Sequence, residues 1–276
     1  MNNANSVTDI HFESFTLKNR MAAWVSTCLF GTVTYTIRRG LLKGMKRKGG
    51  LAWAPALFSR NILDAEDQFL CGLNLAGATV YDVGACQGLV TLFFAKRAKT
   101  VICFEPNSQN YRRILENLEL NGIHNVEVRK TGVGSCRDTR RMIESQLMPG
   151  LSSIDENMGE TLQNVKMGTV VEEIPIIALD EEIPKTNLPA PDFIKIDTEG
   201  WELEVLRGAR STLEKHRPSL LLEMHGATRS EKSQKVREIV AFLWDLNYRQ
   251  ICLVETGTPI TPENSDVAME GHLYAR

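Results

Sequence analysis

From Thr79 onward, short runs rich in β-branched and aromatic residues alternate with stretches whose apolar positions recur every three or four residues. Thr79 to Val83 reads as a strand, and Gly84-Ala85-Cys86-Gln87-Gly88 turns the chain into a helical run from Leu89 to Ala98. A second strand, Thr100 to Phe104, stops at Glu105-Pro106. Asn107 or Ser108 then caps a helix ending at Asn121-Gly122, with Tyr111, Ile114, Leu115 and Leu118 as its core-facing stripe. A third strand is expected from Asn125 to Lys130. Strand, helix, strand, helix, strand over about 50 residues is the pattern of a parallel sheet with right-handed crossovers.

Residues 134–190 are less regular and read as an insertion before the fourth core strand. They hold Ser152-Ser153, Asn157-Met158-Gly159, a strand-like Val170 to Ala178, and prolines 184, 189 and 191. Met142, Met148, Met158 and Met167 offer either an adaptable substrate face or plain packing. The pattern resumes with a strand from Phe193 to Asp197, the turn Thr198-Glu199-Gly200, and a helix carrying Val205, Leu206, Ala209 and Leu213. A fifth strand, Ser219 to Met224, closes at His225-Gly226. A helix from Glu231 to Leu246 and strands near Tyr248–Val254 and Gly271–Tyr274 complete an α/β, doubly wound, mostly parallel sheet.

Residues 1–60 form a separate N-terminal segment, with one domain over 61–276. Met21 to Ile37 is an uncharged run diluted by four threonines, a serine and a glycine. It reads as a helix packed on the core. The alternative is a membrane-associated segment, with Trp24 and Tyr35 near its ends and a basic flank of Arg38, Arg39, Lys43, Lys46, Arg47 and Lys48. Residues 38–50, with four glycines, read as poorly specified, and Leu51 to Ala76 as one or two helices.

Composition narrows the classes. With 276 residues, 43% of them hydrophobic, the chain buries a sizeable core. Its 32 Lys and Arg against 34 Asp and Glu give no positive field to argue for nucleic acid. Six cysteines without a C-x-x-C pair exclude a zinc knuckle and a small disulfide scaffold, and fit a reducing cytoplasm.

The strongest constellation is Asp82-Val83-Gly84-Ala85-Cys86-Gln87-Gly88 followed by Glu105. Gly84 and Gly88 permit a tight turn and close approach to a ligand, and a carboxylate at the next strand tip suits two ribose hydroxyls. The spacing Gly84-x-x-x-Gly88 departs from the dinucleotide fingerprint and favours a nucleoside cofactor without phosphates. Asp82, Gly84, Ala85, Gly88 and Glu105 are the expected cofactor residues, although two glycines after a strand, or one exposed Glu, are common without any ligand. Asp197, Glu199 and His225 are the expected catalytic residues. The first two form the substrate or metal end and His225 is a candidate general base, with Glu223 on the same side of its strand. Capping or an ion pair with Lys195 is the alternative for the acids, and backbone satisfaction for the histidine. Their donors suit a divalent metal without defining one, so metal dependence stays open.

Asp82-Val83-Gly84-Ala85, Phe104-Glu105-Pro106, Ile194 to Gly200, Val205-Leu206-x-Gly208-Ala209 and Leu221-Leu222-Glu223 together resemble the FkbM-type methyltransferases over residues 60–255. That resemblance implies a seven-stranded class I methyltransferase fold and S-adenosyl-L-methionine as cofactor. It also implies O-methylation of a small metabolite or glycan, with Asp82 and Gly84 in the methionine-side loop and Glu105 on the ribose. Cys86 stands where the family often has Asn. An N-methyltransferase, or a degenerate nucleoside-binding or interaction domain, is the alternative, and no nucleic-acid partner is expected.

Overall fold

A computed structural model describes residues 33–48, 63–145, 152–153, 169–226 and 228–276. The first elements are an antiparallel hairpin, β1 (Thr34–Thr36) with β2 (Lys46–Lys48), and helix α1 (Ala65–Gly72). There follow β3 (Thr79–Val83), α2 (Leu89–Ala95), β4 (Thr100–Phe104), α3 (Ser108–Leu120) and β5 (Val126–Arg129). The insertion supplies β6 (Gly132–Val133), β7 (Asp138–Ser145), β8 (Ser152–Ser153), β9 (Thr169–Ile177) and α4 (Leu179–Thr186). The rest comprises β10 (Phe193–Ile196), α5 (Glu202–Arg207), α6 (Arg210–His216), β11 (Ser219–Glu223), α7 (Arg229–Asp245), β12 (Ile251–Leu253), a 3-10 turn (Ser265–Met269) and β13 (His272–Ala275).

Seven strands form the central sheet in the order β12-β13-β11-β10-β3-β4-β5. All neighbours from β11 to β5 are parallel, and β13 runs antiparallel to β11 and β12. From β3 the chain winds outward through β4 and β5, then returns to β10 on the other side. The reversal between β3 and β10 opens a crevice above their carboxyl ends, where ligands of doubly wound sheets bind.

Every residue of β3 is buried, as expected of a parallel strand covered on both faces. Tyr81 and Val83 face the layer with α5 to α7, while Val80 faces the layer with α1 to α3. Fully buried Leu92 and Phe94 on α2 each contribute about 1.5–3 kcal/mol of transfer free energy to that second layer. Asn107 caps α3, its side chain accepting from the backbone N–H groups of Gln109 and Asn110 at 2.8 Å.

Three expectations change. Val33 to Ile37, the described end of the run expected to be helical, contains β1, and residues 38–48 form an ordered hairpin on α3. Asn121 donates to the Lys46 carbonyl (2.7 Å) and accepts from its N–H (2.8 Å), and Asn117 accepts from Lys48 N–H (3.1 Å). The insertion builds its own sheet, β6-β9-β7-β8, followed by α4 with Pro184 inside it. Lastly, the helix expected through Leu213 is broken at Gly208-Ala209, where a Cβ on Gly208 would lie 1.8 Å from the Gly134 carbonyl oxygen. Residues 21–32 of the uncharged run, together with Asn157, Gly159, Met148, Met158 and Met167, lie outside the described residues. Among the described residues, no helix is long and apolar enough to cross a membrane.

Candidate functional site

Val83 pairs with Ile196, which sets Gly84 and Asp197 side by side at the strand ends. Asp197 N–H donates to the Val83 carbonyl at 3.0 Å. Gly84 has φ +82°, and a Cβ there would lie 1.8 Å from the Asp197 carbonyl oxygen, so the two backbones meet without room for a side chain. Cys86 also has positive φ (52°), and Gly88 (φ 77°) starts α2. The turn thereby lifts its N–H groups toward the tip of β4.

Glu105 occupies that tip and is almost fully buried. One carboxylate oxygen accepts from Cys86 N–H (2.7 Å) and the other from Asn107 N–H (2.9 Å). Burial pushes its carboxyl up to about 8, opposed by these hydrogen bonds and by Asn110. Glu105 lines a crevice of about 170 Å³, open at its mouth, together with Gly84, Pro106, Asn110, Met142 and Glu199. The Cys86 thiol, raised to about 12 by burial and by Glu105, stays neutral.

Across the crevice, Asp197, Thr198 and Glu199 complete the lining. Glu199 has φ +52° and is followed by Gly200 at +101°, a turn held by the carboxylate of Glu202. Its Oε1 accepts from Gly200 N–H (2.9 Å) and Thr198 N–H (3.3 Å). The same atom lies 3.1 Å from His225 Nδ1. On the other side of the ring, Nε2 lies 3.5 Å from Glu223, 3.6 Å from Glu199 and 3.9 Å from Asp197. Burial works against charge on this imidazole, yet the carboxylates, Glu202 and Glu223 foremost, push it up to about 11. His225 therefore holds its proton through the neutral range. The role expected for it as a neutral general base does not suit this environment. Glu199, raised to about 7 chiefly by burial, has the affinity for a proton that such a role requires.

The expected cofactor residues separate into two groups. Gly84 and Glu105 line the crevice, whereas Asp82, Ala85 and Gly88 are not among its lining residues. The two-residue period of β3 turns Asp82 toward α2, where it accepts from Thr91 Oγ1 at 2.5 Å. It stands opposite Lys195 in the β3–β10 register. Lys195 is buried and bridges to Asp197 at 2.8 Å. Burial opposes its charge, but Asp197, Asp82 and Glu66 hold its pKa above the ordinary value. Asp82 is thus a support beneath the turn. Sequence reasoning also missed Glu202 as the partner of His225, whereas Met142, one of the methionines offered for a substrate face, lines the crevice. Glu202 carried one signal, an acid three residues after Glu199 on the first helical turn. Asp197, Glu223 and His225 each bring one oxygen or nitrogen within 4.8 Å of the others. A hard divalent ion uses such donors, and here the atoms face one another as carboxylates and imidazolium.

A protein from Beauveria bassiana (strain ARSEF 2860), "Methyltransferase 1", is 26% identical over 144 residues, 47% of this chain and 57% of that one. Among solved structures, the methyltransferase FkbM of Methylobacillus flagellatus KT aligns with TM-score 0.46 and 21% identity, over 72% of this chain and 44% of that one. Precorrin-6y C5,15-methyltransferase from Geobacter metallireducens GS-15 aligns with TM-score 0.41 and 14% identity, over 81% and 90%. The chain therefore spans about half the length of the first two. The sequence profile of the methyltransferase FkbM domain matches residues 82–250, from the start of the glycine turn to beyond His225, and the chain belongs to that family.

Proposed function

We propose that the protein transfers a methyl group from S-adenosylmethionine to a hydroxyl of a small metabolite or glycan. One observation carries the cofactor half. Glu105 sits at the strand tip and lines the crevice, with each oxygen already fixed by a backbone N–H. Two vicinal ribose hydroxyls fit that acceptor. The fit extends to the turn, where Gly84, packed against the Asp197 backbone, presents bare main chain to the crevice. Val133, Pro106 and Met142 offer apolar surface for a base. When bound, the sulfonium supplies an electrophilic methyl and leaves as a neutral thioether.

The acceptor half belongs to the chain's own acids. A neutral alcohol must lose its proton as its oxygen bonds to carbon, and Glu199 lines the crevice with a carboxyl poised near neutrality to take it. His225, kept cationic by Glu202 and Glu223, steadies the neighbouring negative charge of Asp197 and Glu199. Lys195 fixes Asp197 from below. Much of the rate comes from holding oxygen, methyl and sulfur in line.

Transfer of labelled methyl from S-adenosylmethionine to a panel of sugars, polyols and small alcohols, with amines in parallel, tests this. Label is expected in ethers, and lost when the accepting hydroxyl is blocked. Label confined to amines would refute O-methylation. Cofactor binding without transfer to any acceptor would favour a nucleoside-binding module.

A further inference from the structure

Residues 14–63 hold nine Lys or Arg and no Asp or Glu, leaving 23 basic and all 34 acidic groups to the rest of the chain. The described part of this cationic stretch is the hairpin of β1 and β2, and its two faces differ. Leu42 and Met45 are buried, and Ile37 and Leu41 pack on the core layer of α1 to α3. Arg38, Lys43 and Lys46 are exposed. Besides the Asn117 and Asn121 contacts, the Arg47 guanidinium donates to Gln87 Oε1 at 2.6 Å, which ties the hairpin to the turn at Gly84–Gly88. The exposed cations are thus held on a hairpin fixed to α3 and to the turn.

We propose that this hairpin docks the protein on an anionic lipid bilayer. The inference goes beyond the methyl-transfer reading and does not depend on it. A cluster of cations beside a bilayer is drawn by its anionic headgroups, and stable attachment takes a second, apolar signal. That signal precedes the hairpin in sequence as residues 21–32 of the uncharged run, with Trp24 near its start. An unpaired nucleic acid would want stacking platforms among the cations. Tyr35 is the single aromatic residue between 33 and 48, and it is half-buried. The acidic remainder of the chain would repel a long polyanion wrapped around it, whereas a flat surface engages the hairpin alone.

The test is sedimentation of the full chain with phosphatidylcholine vesicles, with and without phosphatidylserine. Wild type is expected to bind the anionic vesicles and to be released by high salt. Combining Arg38→Ala, Lys43→Ala and Lys46→Ala is expected to weaken binding about a hundredfold, or roughly fivefold per charge removed. S-adenosylhomocysteine binding should be unchanged in that variant, which serves as the control for folding. A second variant, Arg38→Lys with Lys43→Arg and Lys46→Arg, keeps the charge and is expected to bind as wild type does. Equal binding by wild type and the alanine variant, or equal binding to neutral and anionic vesicles, would overturn the proposal. Salt-sensitive capture of RNA with no vesicle binding would overturn it in favour of nucleic acid.

Discussion

Replacing Glu105 by Gln keeps the shape of the side chain and removes its charge and one acceptor. In wild type the two oxygens receive N–H groups from Cys86 and Asn107 at 2.7 and 2.9 Å. The new amide NH₂ must face one of those donors. Loss of one hydrogen bond to a charged group costs about 1.5–3 kcal/mol, so affinity for S-adenosylhomocysteine should fall about 10- to 100-fold. The pH dependence is more specific. Glu105 ionises only at about 8 in the free protein because it is buried. Ribose hydroxyls are donors, as are the groups already aimed at it, and all of them favour the ionised form. Binding and proton loss are therefore linked, and affinity should climb as pH rises toward about 8 and level off above it, by up to about tenfold per pH unit. Stability of the free protein runs the other way. A raised folded-state pKa gives a contribution that is full below the unfolded value of about 4.5 and lost as pH rises through about 8. Calorimetric titration across this range, on wild type and Glu105→Gln, reads both effects. A flat wild-type profile, or parallel profiles for the two proteins, would refute the reasoning.

Other perturbations test separate parts of the site. Gly84→Ala places a methyl in the 1.8 Å contact with the Asp197 carbonyl at a positive φ, and should cost more than about 2 kcal/mol in urea unfolding. Lys195→Met leaves Asp82 and Asp197 without their shared cation and should destabilise by about 3–5 kcal/mol. Adding Asp82→Asn should recover part of that loss, and failure to recover any would argue against the pairing. Glu199→Gln should lower kcat about 10²- to 10⁴-fold while leaving S-adenosylhomocysteine affinity unchanged, and retention of turnover would remove Glu199 as the proton acceptor.

What the sequence disclosed follows the range of its signals. The turn Gly84–Gly88 and Glu105 lie within one strand-helix-strand unit, so glycine placement and strand ends fix them locally. Asp197, Glu199 and His225 could be grouped because parallel strands end on the same edge. Where side chains answer to distant partners, pattern reading fell short. Asp82 was placed near the ligand because it precedes the glycine turn, yet strand alternation aims it at Thr91 on α2 and at Lys195 on β10. Glu202 meets His225 only through the packing of α5 beside the end of β11. The hairpin of residues 34–48 has weak local propensity, and is ordered by Asn117 and Asn121 far along the chain. In the insertion, β7 pairs with β9 across more than twenty intervening residues, a register that no local pattern announces.

The most direct measurement is a crystal structure of the complex with S-adenosylhomocysteine. Both ribose hydroxyls are expected within hydrogen-bonding distance of the Glu105 carboxylate, with the sulfur facing Glu199 across the crevice. A nucleoside bound elsewhere, or a Glu105 side chain turned out of the crevice, would contradict it.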